Sequence, residues 1–429
     1  MSGMDMLLAL LLVSLTTAPV IDALRRRGVL SRPEFYLLVA LYLYATGGYL
    51  THLILPAGAP SFLLPASALS AHTSYLFSAC AVLAVYAGGK LYDAGQIEIG
   101  LPPQGSRLLA SLALAGCLVA LAINIYYFAT FGLFSGNFDR VEFIDNFDAS
   151  GGVRIPYLDI FYAAVAVLAL NERWPVSWLA LAGLALLHLP VGNRRIVLAA
   201  LIVVFVAKLL RGSRFSKGAI AAALAAVLVV GIVVGDVRGE GLSALQGLNL
   251  QRALLALSEF ARPFVTLVYH VENGYEPLYG ASLLQGATNS IPSFLLPFDK
   301  APSLGRQFVQ IVEGLGVFAG RVPGYGYFPV TEALVNFGPV GVPVFFLLFA
   351  WILRWLSAFA VRRGVAFVVP LLCAYMFAFG RGTFGGVVAA CLWAFAAGLA
   401  IYITAGLLSG GLGRRGGLAV RTRTKAGGE

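Results

Sequence analysis

Two arginines stand side by side in VGNRRIVLAA, Arg194 and Arg195, between the apolar runs 175–190 and 196–210. A guanidinium keeps its charge when desolvated and meets a phosphate through two parallel N–H bonds. A pair of them at the end of an apolar run therefore suits an anion such as a pyrophosphate. A third arginine, Arg381 in FAFGRGTFGG, stands among glycines that let backbone approach a ligand closely. Glu332, in PVTEALVNFGPVG, opens another apolar run and is the fourth candidate for a catalytic role. Each has a plainer reading. Arg194 and Arg195 could snorkel to lipid phosphates, Arg381 could serve a helix C-terminus, and Glu332 could be a helix N-terminal carboxylate stabilised by the dipole.

Other reactive groups are sparse. His52, His72, His188 and His270 occur without HExxH or metal-ligand spacing. Cys80, Cys117, Cys373 and Cys391 all lie inside apolar runs and read as small core residues. The loop GNFDRVEFIDNFDAS holds Asp139, Glu142, Asp145 and Asp148, which could bind a divalent ion but read more simply as a solvated acidic loop. There is no Walker motif, GxSxG or dinucleotide fingerprint, so ATP-driven chemistry is disfavoured and no cofactor or metal is expected. If a sugar–pyrophosphate bond breaks, arginine can stabilise the charge on the leaving group, as Mg²⁺ does elsewhere. A carboxylate or imidazole would deprotonate the attacking hydroxyl.

The elements that must position these groups are membrane helices. Of 429 residues, 59% are hydrophobic and 12% charged, with mean hydropathy +0.85. Apolar runs near the spanning length of roughly 20 residues recur throughout, and the alternating strands of a barrel are lacking. The fold class is all-α and polytopic, with about 11 spans near 4–22, 34–55, 70–91, 108–130, 157–172, 175–191, 196–211, 218–235, 333–356, 364–380 and 386–408. The runs 157–172 and 175–191 are short for a span. No basic region precedes the first run, while Arg25, Arg26 and Arg27 follow it, which reads as an uncleaved helix with its N-terminus outside. With that orientation nineteen of the 30 basic residues fall on inner segments, as the positive-inside rule asks. The net charge of +10 then reflects inner loops beside anionic lipid; no nucleic-acid partner is implied.

This gives a bundle over 1–235, a long periplasmic loop over 236–330, closing spans over 331–408 and a basic cytoplasmic tail over 409–429. The loop is far longer than usual. It begins with LNLQRALLALSEFARPF, where Leu250, Leu254, Leu257, Ala261 and Phe264 share one helical face and Arg252, Glu259 and Arg262 another. That pattern fits a helix lying at the interface. Further on, ASLLQGATNSIPSFLLPFDKAPSLGRQF and GRVPGYGYFPV read as irregular backbone over a cavity, with Tyr and Phe rings able to stack on sugars.

Taken together, GNRRIVL, YEPLYGASLLQGATNSIPSFLLPFDKAPSLGRQF and GYGYFPVTEALVNFGPVGVPVF resemble the Wzy-type O-antigen (oligosaccharide repeat unit) polymerases. The features most like that family are a carboxylate shortly before NFG..G at the start of a span, after a long outer loop, and a late outer arginine. The resemblance covers roughly residues 192–386. It implies a multi-span glycosyltransferase of the GT-C kind in the bacterial inner membrane. Such an enzyme moves a glycan from undecaprenyl diphosphate to the terminal sugar of another lipid-linked repeat unit at the periplasmic face, without a metal. Arg194, Arg195 and Arg381 match its outer arginines and Glu332 its acidic residue. Arg262, His270, Arg306, Arg321 and Tyr325 fall in its outer-loop region as substrate-binding candidates. Implied partners are the lipid-linked donor and acceptor, membrane lipid and a chain-length regulator.

Three rivals stay open. An O-antigen ligase would share the long loop and its arginines, and TEALVNFG favours the polymerase over it. A transporter or flippase of lipid-linked glycan would favour internal repeats and charges near the midplane, whereas these charges gather at one face. A membrane scaffold would not need the arginines.

Overall fold

The computed structural model describes residues 3–26, 28–54, 63–91, 106–130, 156–171, 175–189, 193–213, 215, 261–289, 291, 301–316 and 325–409. Among these residues every regular element is a helix. In order they are α1 (Gly3–Arg25), α2 (Pro33–Ile54), α3 (Ala68–Leu91), α4 (Arg107–Thr130), α5 (Tyr157–Asn171), α6 (Val176–His188), α7 (Arg194–Leu210), α8 (Ala261–Asn273), α9 (Ala281–Asn289), α10 (Leu304–Gly314), α11 (Pro329–Arg362), α12 (Val368–Phe379) and α13 (Phe384–Ser409). A single 3-10 turn, Val29–Ser31, links α1 to α2. Six helices, α1, α2, α3, α4, α11 and α13, are long and apolar enough to cross a membrane. The chain is a polytopic membrane protein, all-helical among the described residues. The run 157–172 folds as α5, of 15 residues, and 175–191 as α6, of 13 residues. At about 1.5 Å per residue these reach roughly 20 Å, short of a hydrocarbon core of about 30 Å. The expected span 218–235 and the acidic loop lie outside the described residues.

The chain divides into two compact units. The first comprises Met1–Asp93, Leu248–Leu356 and Tyr375–Ala389. Its helices α1, α2 and α3 are joined by hydroxyl pairs: Thr16 with Tyr75 at 2.6 Å, Thr46 with Tyr75 at 3.0 Å and Thr17 with Tyr42 at 2.9 Å. Lipid tails are as apolar as leucine, so polar pairs and close packing hold such helices together where hydrophobic burial cannot. The Tyr49 and Tyr75 rings stack at 4.3 Å, and Glu34 of α2 accepts a bond from Arg354 of α11 at 2.8 Å with both side chains buried.

The second unit comprises Ala94–Gly247, Ser357–Ala374 and Ala390–Glu429. Its centre is α5, whose residues from Phe161 to Leu170 are all buried. A helix apolar all round belongs in a core, and α4, α6 and α7 pack around this one. Asn124 of α4 donates to His188 of α6 at 2.8 Å, and Tyr162 of α5 donates to the Ile196 carbonyl at 3.1 Å.

The long loop is folded where described. The stretch read as irregular contains two helices, α9 and α10, and this corrects the expectation. In α10 the residues Leu304, Phe308 and Val312 recur every fourth position and are buried. They join Leu63, Leu64, Ala261, Val265, Tyr325 and Tyr327 in one apolar core. Helix α8 lies across α2 with Phe264 seated on Gly48, where a side chain would leave no room for the ring. Most of LNLQRALLALSEFARPF precedes Ala261 and lies outside the described residues.

Candidate functional site

Glu332 occupies the first turn of α11 and is only 3% exposed. Its Oε1 accepts a bond from the Ser282 hydroxyl of α9 at 2.9 Å, and its Oε2 accepts one from the Phe384 backbone N–H at 2.6 Å. Asn336, one turn on, donates from Nδ2 to both the Ser282 hydroxyl and the Glu332 carbonyl, at 2.7 Å each. Phe384 begins α13, and the first N–H groups of a helix have no partner within it. The carboxylate therefore serves a helix N-terminus, where the dipole also favours negative charge. That helix is α13, not the one on which Glu332 sits.

A break in α11 lies two residues beyond Asn336. Gly338 has φ 69° and ψ −175°, outside helical geometry, and Pro339 and Pro343 follow. In a continuous helix the Val335 carbonyl would accept from residue 339, and proline has no N–H to give. The Leu278 N–H takes that place at 2.8 Å, so loop backbone completes the interrupted ladder.

The segment Tyr325–Phe328, YGYF, is the meeting point of the other candidates. Tyr325 lies within electrostatic reach of Arg262, which opposes the effect of burial. Burial is the larger influence and pushes the Tyr325 hydroxyl up to about 12. Gly326, with φ 73°, backs onto Arg381, and a Cβ there would stand 2.4 Å from Arg381 Cγ. The Tyr327 hydroxyl faces His270 Nε2 at 3.4 Å. Burial raises the Tyr327 pKa, and the Glu332 charge adds to it. Burial lowers that of His270, which favours the neutral imidazole. The Phe328 N–H donates to Thr266 of α8 at 3.3 Å, and Thr266 pairs with Thr331 of α11 at 2.9 Å.

One unit thus gathers Arg262, His270, Glu332 and Arg381 around four consecutive residues. Tyr325 is also there, but it is fully buried, with its ring against Phe308 at 5.3 Å. Tyr327, Phe328 and Phe308 are buried as well, and Tyr325, Tyr327 and Phe308 belong to the apolar core of the loop. Phe294 and Phe298, the other rings of these stretches, lie outside the described residues. Arg306 is exposed in the first turn of α10, whose N-cap Ser303 accepts from the Arg306 N–H. Arg321 lies outside the described residues. Arg194 and Arg195 begin α7 in the second unit, with Asn193 at the N-cap. Arg195 is exposed and within electrostatic reach of Tyr162. Among the described residues no three His, Cys, Asp or Glu side chains gather as metal ligands.

Sequence reasoning missed Ser282, Asn336, Thr266 and Thr331. Asn336 was readable, since it lies four residues after Glu332 on a helix and so shares its face. Ser282 and Thr266 lie far away in sequence, and no local pattern marks them.

The chain matches no family model, no curated protein and no solved structure. What the fold and site define is a class: a polytopic helical membrane protein with a folded loop pinned to a broken membrane helix. Within it, the segment Tyr325–Phe328 is approached by a buried carboxylate, Glu332, by two arginines, Arg262 and Arg381, and by His270.

Proposed function

We propose that this protein is a membrane glycosyltransferase that joins oligosaccharide repeat units carried on undecaprenyl diphosphate, in the manner of the Wzy-type O-antigen polymerases it resembles. The observation that supports it is the gathering of Arg262, His270, Glu332 and Arg381 around Tyr325–Phe328. In this reading Arg381 and Arg262 hold the pyrophosphate and stabilise its charge as it leaves. Arg194 and Arg195 enter through their residue type, as further phosphate ligands. The acceptor hydroxyl attacks the anomeric carbon, the bond from that carbon to the pyrophosphate oxygen breaks, and undecaprenyl diphosphate departs with the electron pair. His270, held neutral by burial, takes the hydroxyl proton. Glu332 has both oxygens engaged, so it holds the start of α13 and with it Arg381.

The wider reading has about 11 spans in a GT-C-like arrangement in the bacterial inner membrane. The N-terminus and site face the periplasm and the tail faces the cytoplasm. No metal or cofactor takes part, and a chain-length regulator is a further partner. The test is glycan banding after gene deletion, complemented with Arg381→Lys. A polymerase null leaves a core bearing one repeat unit. Arg381→Lys should slow chain extension roughly 10–150-fold, since a charge-assisted bond is worth about 1.5–3 kcal/mol. Loss of all glycan from the core would indicate a ligase, and normal banding in the null would reject both.

A further inference from the structure

Helix α9 is built inside out for a helix in water. Its buried positions are Ser282 and Gly286, one turn apart, and its exposed ones are Ala281, Leu284 and Ala287. Ser282 is committed to Glu332. Gly286 lies against Gly385 at the start of α13, so close that a Cβ on Gly286 would stand 2.2 Å from the Gly385 Cα. The Ser282 and Gly286 contacts thus face the protein, and the most exposed positions, Ala281, Leu284 and Ala287, are all apolar, with Gln285 and Thr288 half-buried between them and Gln285 tied to the Pro302 carbonyl. Leu284 is 69% exposed, and Tyr279, just before the helix, is 85% exposed. Tyr279 also has φ 48°, a left-handed conformation that costs an ordinary residue energy. An aromatic ring in strained backbone with this exposure packs little against the described residues.

The exposed face continues onto a membrane helix. Gly280 lies beside the Phe337 ring, with 3.9 Å from a Cβ built on it to Phe337 Cε1. Phe337 is 42% exposed, and below it Val340, Val344 and Leu348 form an exposed stripe at helical spacing along α11. In a helix that crosses a membrane such a stripe meets acyl chains. From this continuity, and from the inverted pattern of α9, we infer that α9 is a re-entrant helix: Tyr279, Leu284 and Ala287 contact lipid acyl chains beside the break in α11. Backbone at membrane depth is tolerated when its polar groups are satisfied by protein. The Leu278 N–H on the Val335 carbonyl and the Ser282–Glu332–Phe384 bonds supply that here. The inference rests on the membrane class of the protein and not on its enzymatic reading.

The experiment is site-directed spin labelling of the full chain in phospholipid vesicles, with Cys80, Cys117, Cys373 and Cys391 replaced. Labels at Leu284→Cys and Ala287→Cys should collide more with dissolved oxygen than with a water-soluble nickel chelate, as a label at Val344→Cys should. A label at Gln310→Cys on α10 should show the reverse. Preferential nickel collision at both α9 sites would overturn the inference. As a second measurement that keeps the native cysteines, a photoreactive benzoylphenylalanine at position 284 should yield lipid adducts. A covalent dimer in their place would show a second copy covering this face, and would also overturn it. Neither readout depends on catalysis, so the inference and the proposed function can fail separately.

Discussion

Helices α9 and α10 follow one another in the same loop and are of similar length, yet their patterns are opposite. Helix α10 buries Leu304, Phe308 and Val312 and exposes Arg306, Gln310 and Glu313 beside Ile311. Helix α9 buries a serine and a glycine and exposes alanines and a leucine. The first is stabilised as a soluble domain is, by apolar area removed from water. The second is held by close backbone approach and satisfied polar groups, the means available when surroundings are already apolar. One loop thus contains two folding regimes, and the start of α9 lies beside the break in α11.

The largest effect should come from emptying the α10 side. Phe308→Ala removes a fully buried ring that touches Tyr269, His270 and Tyr325, and should cost about 3–5 kcal/mol. Limited proteolysis of the loop at rising urea would read it, and unchanged protection would mean that the loop core does not hold the loop. Next is Gly286→Val, which forces apart backbones already in contact and should cost about 1–3 kcal/mol by overpacking. Gly314→Ala, at the end of α10 with open space around it, should change stability by less than about 1 kcal/mol. Equal effects of the two would erase the contrast.

A charge placed on each exposed face makes a finer test. Leu284→Lys on α9 should cost about 1–2 kcal/mol, between values for the membrane midplane and its surface. Gln310→Lys on α10 should stay within about 0.5 kcal/mol. Unfolding in mixed micelles at graded denaturant compares them, and a neutral Leu284→Lys would place α9 in water. The smallest effect is a pH dependence of the loop core. Burial depresses the pKa of His270 in the folded state, so the unfolded chain binds a proton more readily. Stability should be full above the ordinary histidine pKa of about 6.5 and should fall as pH drops below it. His270→Gln should flatten that slope in the same proteolysis assay, and an unchanged slope would assign it to another group.

The membrane helices were legible because apolar length is a local property. Runs predicted at 34–55 and 108–130 fold as Pro33–Ile54 and Arg107–Thr130. The break at Gly338 was written in GPVGVP, yet an unbroken apolar run conceals a change of backbone direction. Helix α9 is illegible because its pattern is the reverse of that of a helix in water: Gly, Pro and Ser around it read as loose loop, and its exposed positions Ala281, Leu284 and Ala287 are apolar. Glu332 was found as a carboxylate at a span's start, but its role in serving α13 depends on Ser282 and Phe384, each about 50 residues away. The short helix α5 was found but not explained, because what makes it stable at that length is the ring of helices around it.

The bond from the Leu278 N–H to the Val335 carbonyl bears on how the molecule is made. A ribosome delivers Leu278 well before Val335, so the loop emerges with its donor unanswered and waits for the broken helix to arrive. Until then the first turns of α11 carry an acceptor that no neighbour within the helix can satisfy. Insertion of α11 and closure of the loop are therefore expected to be coupled, and a chain interrupted between them should be a substrate for membrane proteases, not a stable half-protein.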